Sequence, residues 1–236
     1  MNVTLKINGL ETQARFNDQE VETLHKPLLK QLAEKQRQLQ RRLVVFLAAP
    51  PGTGKSTLAA FWEYLSTQDT ELPVIQALPM DGFHHYNDYL LANNLKQHKG
   101  APQTFNVAKL TDALRALHQP ESEWPQYDRN LHDPVENAIT VKAPIVVVEG
   151  NWLLLNQPEW QSLRALCDYS VFISAQPERL SERLIGRKMR GGLTRQQAVD
   201  FFQMTDGLNV LRVLENSQPA NMQLCMDEQG GYHQIL

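Results

Sequence analysis

A lysine and a serine at the end of a glycine-rich loop are the residues of this chain best suited to chemistry. Gly52-Thr53-Gly54-Lys55-Ser56-Thr57 follows an apolar run at residues 43–49 and precedes a helical pattern at residues 58–65. Between a strand and a helix, the N–H groups of such a loop and the helix N-terminus bind polyphosphate oxygens. The lysine can reach the β- and γ-phosphates, and the serine hydroxyl can bind Mg²⁺. The pattern predicts a nucleotide site formed by Pro51, Gly52, Thr53, Gly54, Lys55, Ser56 and Thr57.

One position departs from the usual form of this loop. Five residues before Gly54 the pattern normally has glycine, whereas this chain has Ala49. Because alanine resists positive φ, the start of the loop must follow a path that alanine tolerates. The alternative interpretation is a glycine-rich turn between a core strand and a core helix.

Two acidic residues stand where predicted buried strands end. Asp81 follows the apolar stretch at residues 72–80, and Glu149 lies near the end of the β-branched run at residues 144–150. In open α/β sheets, functional groups gather beyond the carboxyl ends of the strands. We therefore expect Asp81 to face the γ-phosphate and Glu149 to hold Mg²⁺ directly or through water. For Asp81 the alternative is an ordinary Asp-Gly turn, and the nearby His84 could bind substrate or be structural.

Two aperiodic segments are predicted to be loops. Residues 99–106 lead into a helical pattern, and residues 124–134 are polar and aromatic. The second segment includes Tyr127 and His132, together with an arginine and two aspartates. This composition suits a surface loop, and it suits a substrate-facing loop equally well.

A basic helix could close over the site. Helical spacing puts Arg183, Arg187 and Arg190 on one side of a helix that ends at Gly191-Gly192. Arginines can close over a transferring phosphoryl group, because their planar donors suit its spread charge. We therefore predict a mobile lid around residues 183–195, with a solvated basic face as the alternative.

The first 42 residues precede the predicted nucleotide site. Alternating residues 3–7 and 12–16 flank Asn8-Gly9, a strong two-residue hairpin signal. Leucines that recur every four residues predict an amphipathic helix from about Glu22 to Leu39. We expect residues 1–42 to form an appendage and residues 43–236 to form the nucleotide-binding domain.

The remaining pattern predicts an α/β fold. The run at residues 144–150 is apolar on both faces, which is typical of a parallel sheet covered by helices on both sides. Further predicted elements are a helix at residues 107–118, a helix that Thr194 caps and that runs to about residue 205, strands at residues 168–174 and 222–226, and a final hairpin that turns at residues 229–231.

Composition excludes several classes of protein. The chain has 236 residues and a net charge of −3, with a pI near 6.2, so nothing global favours nucleic acid or an anionic membrane as a partner. The apolar runs are too short for a membrane span, and the N-terminus has no signal-peptide core. Cys167 and Cys225 make neither a disulfide framework nor a metal site. We expect a cytoplasmic protein.

The order of these motifs resembles one family of P-loop kinases, which includes uridine kinase, phosphoribulokinase and bacterial pantothenate kinase. Within that family, the chain is most similar to the YggC-type bacterial kinases. The match runs from about Leu43 to Leu224 and rests on five motifs in family order. They are Gly52–Thr57, Asp81-Gly82-Phe83, Ala101-Pro102-Gln103-Thr104-Phe105-Asn106, Pro125-x-Tyr127-Asp128 with His132, and Val148-Glu149-Gly150.

The resemblance implies a three-layer α/β/α fold with a mostly parallel sheet of about five strands. It implies that Asp81 is the catalytic aspartate and that Glu149, with Ser56, serves Mg²⁺. Tyr127 and His132 match residues that contact the acceptor in uridine kinase. We also expect Asp81 and His84 to contact the substrate. Lys55, Arg187 and Arg190 would act on the phosphates. Pro219-Ala220-Asn221 matches a segment that lines the adenine end, although the family usually has Asp in place of Asn221.

These observations favour a kinase that transfers the γ-phosphoryl group of MgATP to a hydroxyl group. We expect the acceptor to be a sugar or sugar-like polyol, with a nucleoside or a pantothenate-like alcohol as the alternative. A GTPase should carry Asn-Lys-x-Asp, which this sequence lacks, and a motor ATPase usually ends its second core strand in Asp. A P-loop ATPase or a nucleotide-binding regulator is a remote alternative. The helix at residues 22–39 could pack on its own core or form a homodimer.

Overall fold

A computed structural model describes residues 1–7 and 9–235. The predicted N-terminal turn includes Asn8, which lies outside the described residues. On either side of this position the chain forms an antiparallel hairpin, with Ile7 opposite Leu10.

Within residues 1–7 and 9–235, ten strands form three sheets. The strands are β1 (Asn2–Ile7), β2 (Leu10–Arg15), β3 (Leu43–Ala48), β4 (Ile75–Pro79), β5 (Ser122–Asp128), β6 (Asp133–Val141), β7 (Ile145–Gly150), β8 (Tyr169–Ser174), β9 (Met222–Met226) and β10 (Tyr232–Ile235). Two of the sheets are hairpins, β1–β2 and β5–β6. The third is a six-stranded sheet in the order β10-β9-β8-β3-β7-β4.

The central sheet has five parallel strands, as predicted, and β10 adds a sixth, antiparallel strand at one edge. β3 and β7 are buried along their whole length. Their alternate side chains enter two hydrophobic clusters, one on each face of the sheet. The sheet therefore forms the middle layer of an α/β/α sandwich, and its carboxyl edge carries the residues that follow β3, β4 and β7.

Eight α-helices accompany the strands in the described part of the chain. They are α1 (Asp18–Glu20), α2 (Lys26–Leu39), α3 (Lys55–Gln68), α4 (Asn87–Ala92), α5 (Val107–Ala116), α6 (Pro177–Arg190), α7 (Arg195–Phe201) and α8 (Gly207–Asn216). The π-helical turns Val21–His25 and Phe202–Asp206 join α1 to α2 and α7 to α8. Short 3₁₀ helices form at Met80–Phe83, Lys96–His98, Pro102–Thr104 and Gln161–Leu166. Thr194 caps α7 through a reciprocal pair of bonds with Gln197, as predicted.

The N-terminal segment shares the core of the larger domain. Val3, Leu5 and Phe16 belong to the same buried cluster as residues of β3 and α3. The ring of Phe16 stacks on Phe61 of α3, with 3.6 Å between ring centroids. The boundary expected after residue 42 stays a prediction, but the apolar faces on either side of it pack against each other.

Residues 124–134 are not a loop, and this part of the sequence interpretation is wrong. The segment belongs to the antiparallel hairpin β5–β6, whose register shifts between Trp124 and Gln126. The intervening Pro125 has no N–H group to donate to the ladder. Trp124 is buried and its indole N–H donates to the carbonyl oxygen of Pro79, 2.9 Å away. The buried residues of this hairpin are few and do not alternate regularly with exposed ones, so the sequence lacks the apolar alternation that predicts a strand.

Within the described residues, none of the helices combines the length and the apolar character that a membrane crossing requires.

Candidate active site

The loop between β3 and α3 has the geometry of a phosphate-binding loop. Gly52 and Gly54 both have positive φ, 92° and 87°, which glycine adopts without strain. A side-chain carbon on Gly54 would lie 2.8 Å from the hydroxyl oxygen of Tyr232. Ala49 is fully buried and its φ is not positive, so the loop reaches its turn after this residue. The unusual alanine is therefore compatible with the loop.

Two distant side chains brace the backbone of this loop. The hydroxyl of Tyr232 donates to the carbonyl oxygen of Thr53 at 2.7 Å. Arg183 Nε donates to the carbonyl oxygen of Gly52, also at 2.7 Å. Both carbonyl groups therefore have a hydrogen-bond partner, and the two bonds fix the backbone of the loop at Gly52 and Thr53.

A basic cleft of about 630 Å³ opens over this loop. Lys55, Ser56 and Thr57 line its floor, together with four arginines of the lid helix and of the β5–β6 turn. These arginines are Arg129, Arg183, Arg187 and Arg190. A cleft with this density of planar cationic donors is suited to a polyphosphate.

The lid helix α6 is anchored at its C-terminal end. Lys188 Nζ lies 3.6 Å from the ring centroid of Phe201 on α7. Arg187 and Arg190, on the same last turn, are exposed and line the cleft. Arg183 also lines the cleft, but its Nε donates to the phosphate loop, whereas Arg187 and Arg190 are more exposed.

Glu149 is a buried carboxylate at the end of β7. Burial raises its pKa, and Lys55 opposes that shift by favouring the charged form. The Asp81 carboxylate raises the pKa further, whereas the Ser56 hydroxyl lowers it. The structure therefore brings the two sequence-predicted metal residues, Ser56 and Glu149, side by side.

Ser56 and Glu149 could bind a magnesium ion only together with other donors, such as phosphate oxygens of a nucleotide and water. Among the described residues, no group of three or more Cys, His, Asp and Glu side chains could hold a metal ion. Mg²⁺ usually keeps several waters and binds one or two carboxylates plus phosphate oxygens. One hydroxyl and one carboxylate beside a phosphate loop match that donor set.

Asp81 lies in the 3₁₀ turn after β4, close to Glu149. Its carbonyl oxygen accepts a 2.8 Å bond from Nδ1 of His84. The next residue, Gly82, must be glycine because the backbone of β5 passes close to it. A side-chain carbon on Gly82 would lie 2.2 Å from the carbonyl oxygen of Pro125. The Asp-Gly pair therefore lets the β5–β6 hairpin pass directly over the residue that we expect to act as base.

His84 and Tyr127, two of the predicted substrate-binding residues, lie close to Asp81 and to each other. The ring of His84 packs against Phe105, 3.9 Å between centroids, and burial lowers its pKa. His84 is thus a neutral ring held by its neighbours. Burial, with Asp133 and Asp81 nearby, raises the pKa of Tyr127 to about 12, so its hydroxyl keeps its proton.

The two sequence-predicted acceptor residues of the β5–β6 hairpin differ in their surroundings. Tyr127 is half-buried, whereas His132 is exposed in the turn, with φ of 56°. The carbonyl oxygen of His132 accepts a 2.7 Å bond from Lys99 Nζ. Lys99 also lies 5.0 Å from the ring centroid of Tyr127. The contacts of His132 are therefore made by its backbone, and Lys99 ties the turn to Tyr127.

Sequence reasoning missed Arg129. It follows β5 in the hairpin turn and lines the phosphate cleft opposite the lid arginines. Its charge lowers the pKa of both Glu149 and Tyr127. The signal available in the sequence was its position two residues after Tyr127, in a segment dense with reactive groups.

The expected role of Pro219-Ala220-Asn221 at the adenine end is wrong. The segment precedes β9, whereas the phosphate loop follows the carboxyl end of β3, and the two strands run in the same direction. The side-chain oxygen of Asn221 accepts bonds from the N–H and hydroxyl of Ser170, both 2.9 Å, and from Arg164. It ties the start of β9 to β8, which is a structural task.

The chain is similar to several known proteins, although a search of protein-family models finds no match. YggC of Escherichia coli (strain K12) is 58% identical over 234 residues, covering 99% of each chain. A Schizosaccharomyces pombe protein named a putative uridine kinase is 29% identical over 188 residues, 75% of this chain and 80% of that protein.

One solved structure is similar in both fold and sequence. It is a putative fructose transport system kinase from Silicibacter sp. TM1040, with a TM-score of 0.78 and 31% identity. The likeness covers 86% of this chain and 98% of that one. Identity and coverage at this level show relationship as well as shared architecture.

Proposed function

The chain belongs to the P-loop kinase family that includes YggC and the Silicibacter kinase, and from this premise we propose the reaction and its residues. The reaction is transfer of the γ-phosphoryl group of MgATP to a hydroxyl group of a small-molecule acceptor. The observation that supports it best is the convergence of Lys55, Ser56 and Glu149 with Asp81 and Arg129 beside one phosphate-binding cleft.

The nucleotide phosphates bind to residues 51–57. The N–H groups of the loop and the N-terminus of α3 hold the β-phosphate, and Lys55 spans the β- and γ-phosphates. Ser56 and Glu149 would hold Mg²⁺, which when bound would supply positive charge beside the phosphates. Glu149 would bind the metal as a carboxylate, the charged form that burial alone disfavours.

Asp81 accepts the proton of the attacking hydroxyl. The bond that forms joins the acceptor oxygen to the γ-phosphorus, and the bond that breaks releases ADP. Asp81 lies close to both Glu149, the proposed metal ligand, and Tyr127, the proposed acceptor contact. Tyr127 keeps its proton and therefore serves as a hydrogen-bond donor or acceptor to substrate.

Cationic groups from three elements that line the cleft stabilise the transferring phosphoryl group. Lys55 approaches it from the loop, Arg187 and Arg190 from the lid, and Arg129 from the acceptor hairpin. Because the charge in this transition state is spread over three equatorial oxygens, positioning and electrostatics carry most of the catalysis. Closure of the lid also keeps water from competing with the acceptor.

A sugar or a sugar-like polyol is the acceptor that we propose. The support is the name of the 31% identical Silicibacter protein, a putative fructose transport system kinase. A nucleoside is the second candidate, supported by the 29% identical protein named for uridine. Both candidates rest on analogy, and a few pocket hydrogen bonds decide between such acceptors.

The test is ADP formation from MgATP against a panel of sugars, polyols, nucleosides and pantothenate. We expect ADP release that depends on one class of acceptor and yields a phosphorylated product detectable by mass spectrometry. ADP release that is equal with and without every acceptor would contradict the proposal and indicate an ATPase. Tight MgATP binding with no transfer to any acceptor would indicate a nucleotide-binding regulator.

A further inference from the structure

The N-terminal hairpin β1–β2 reaches the phosphate cleft at one end. Val3, Leu5 and Ile7 alternate along β1 and therefore share one face of the hairpin. Val3 and Leu5 are buried in the hydrophobic cluster that includes α3. Ile7, the last residue of β1, packs against this cluster and is only partly buried. The row of apolar side chains ends at the phosphate cleft, which Ile7 and Thr12 line.

The hairpin is held by the helix that carries the proposed metal ligand Ser56. The N–H of Phe16 donates to the carbonyl oxygen of Met1 at 2.9 Å, which closes the base of the hairpin. The ring of Phe16 stacks on Phe61 of α3. Because α3 also begins with Lys55 and Ser56, one helix sets the position of both the hairpin and the phosphate-binding residues.

A second cleft, of about 330 Å³, reaches the same place from the edge of the central sheet. It lies among β1, α3, the edge strand β4 and the hairpin β5–β6. Lys6, Glu63 and Gln126 line it, so its polar walls suit water. Ser56 and Glu149 line it as well. Water in this cleft therefore has access to the two residues that we expect to hold Mg²⁺.

Ile7 lies at the boundary between the two clefts. Among the described residues, Ile7 and Ser56 line both of them. Ser56 contributes a hydroxyl group, whereas Ile7 contributes a branched apolar side chain that forms no hydrogen bond with water. Leu10, which lies opposite Ile7 on β2, is 54% exposed and lines neither cleft. The boundary position therefore belongs to Ile7 and is not shared by its apolar neighbour.

We propose that Ile7 is a specificity-determining residue that favours the acceptor hydroxyl over water. In transfer, the acceptor oxygen bonds to the γ-phosphorus, its proton goes to Asp81, and ADP leaves. In the side reaction that Ile7 suppresses, a water oxygen forms that bond and releases a proton to solvent, which yields ADP and inorganic phosphate. The inference rests on the proposed function.

This role differs from that of the lid. The lid residues Arg183, Arg187 and Arg190 line the phosphate cleft but not the second cleft. Closure of α6 therefore excludes water from one direction, and the side chain of Ile7 excludes it from the edge of the sheet. The hairpin within residues 1–42 thus contributes a wall of the active site.

Release of ADP and inorganic phosphate from MgATP without any acceptor tests this role. Ile7→Ala removes three carbon atoms, which opens space for about two waters at the boundary. We expect this release to rise about tenfold, with MgATP affinity within about twofold of wild type. Leu10→Ala is the matched control, because it removes the same number of carbon atoms from the facing strand. It should leave the release of ADP unchanged.

Ile7→Thr tests the same role in a side chain that keeps the β-branched shape favoured in strands. Its hydroxyl can hydrogen-bond a water at the boundary. We expect acceptor-independent release of ADP to rise about threefold or more, at a Tm close to that of wild type. With acceptor present, both Ile7 variants should form less phosphorylated product per ADP than wild type does.

Wild-type release of ADP in both Ile7 variants would overturn the inference, and so would an equal rise in Leu10→Ala. An equal loss of hydrolysis and transfer would also overturn it, because that is the result of a purely structural role. Failure of the proposed function has a different signature. Wild-type protein then forms no phosphorylated product with any acceptor, whereas comparison of Ile7→Ala with wild type still measures the exclusion of water.

Discussion

The hydroxyl of Tyr232, on the last strand, donates a 2.7 Å hydrogen bond to the carbonyl oxygen of Thr53 in the phosphate loop. The two residues are 179 positions apart in the chain. Burial raises the pKa of Tyr232, so the phenol keeps its proton and remains a donor. The antiparallel edge strand β10 is therefore part of the machinery that shapes the phosphate loop.

Tyr232→Phe should remove the hydrogen bond that fixes the phosphate loop, while the phenylalanine ring keeps the packing of the core. The ring is retained, but the buried carbonyl of Thr53 loses its partner, which costs about 1–3 kcal/mol. For a chain of this size that corresponds to a fall in Tm of roughly 2–4 °C per kcal/mol, with weaker MgATP binding. Tyr89→Phe, at an exposed position, is the control. An unchanged Tm and unchanged nucleotide affinity would remove Tyr232 from this role.

Glu149→Gln should stabilise the metal-free protein and abolish transfer. Burial raises the pKa of Glu149 above its ordinary value of 4.5. The folded state therefore binds this proton more tightly than the unfolded state, and the free energy of unfolding falls as pH rises from the unfolded pKa through the folded one. Glutamine removes that loss, so we expect a Tm gain near neutral pH of roughly 2 °C or more in EDTA.

The same shift sets the acid limb of activity. Since Mg²⁺ needs the carboxylate, turnover at limiting Mg²⁺ should fall as pH drops through a range above that of an ordinary glutamate, and excess Mg²⁺ should move the limb to lower pH. An acid limb that is indifferent to Mg²⁺ would argue against Glu149 as a ligand. So would a Glu149→Gln variant with normal turnover.

Arg129→Ala should lower kcat far more than it raises the apparent dissociation constant for MgATP. The side chain lines the phosphate cleft from the β5–β6 turn, and in the proposed mechanism it stabilises the charge of the transferring phosphoryl group rather than the bound nucleotide. In other phosphoryl-transfer enzymes, one added arginine raises kcat by about 10³- to 10⁵-fold. For Arg129→Ala we expect kcat to fall by on the order of 10²-fold. Arg129→Lys should recover part of it. A normal kcat in Arg129→Ala would show that the arginine is only a surface group.

Removal of either lid arginine, Arg187 or Arg190, should lower kcat, whereas removal of an arginine far from the cleft should not. Arg187→Ala and Arg190→Ala remove the exposed cations of the last turn of α6, and each should reduce kcat by on the order of 10²-fold. Arg37→Ala, on the surface of α2, is the control and should have no effect. If neither lid variant differs from the control, the basic face is merely solvated.

The fold and the kinase family could be predicted because the hydrophobic runs and loop motifs of the sequence agree with the strands and turns that the structure forms. β3 and β7 are buried on both faces and therefore read as continuous apolar runs. Helix caps and glycine turns such as Thr194 and Gly54 also depend only on nearby backbone. These elements carry the phosphate loop, Asp81 and Glu149 to one edge of the sheet.

The remaining parts depend on contacts that no local pattern records. The β5–β6 hairpin is held by the buried Trp124 and its bond to Pro79, 45 residues away. Arg129 reaches the cleft only because that hairpin folds over Gly82. Residues 15–20 and the turn at residues 227–231 line the same cavity, although they are near opposite ends of the sequence. The predicted role of Asn221 at the adenine end was wrong because its side-chain oxygen accepts hydrogen bonds from Ser170 of β8.

Transfer of label from [γ-³²P]ATP to the acceptor, compared between wild type and Asp81→Asn, tests the central claim most directly. Asp88→Asn, an exposed aspartate on α4, is the matched control, and MgATP binding is measured in all three proteins. We predict labelled acceptor with wild type and Asp88→Asn, and a loss of at least about 10²-fold with Asp81→Asn at unchanged MgATP affinity. Near-normal transfer by Asp81→Asn would contradict the account and assign the base to another group.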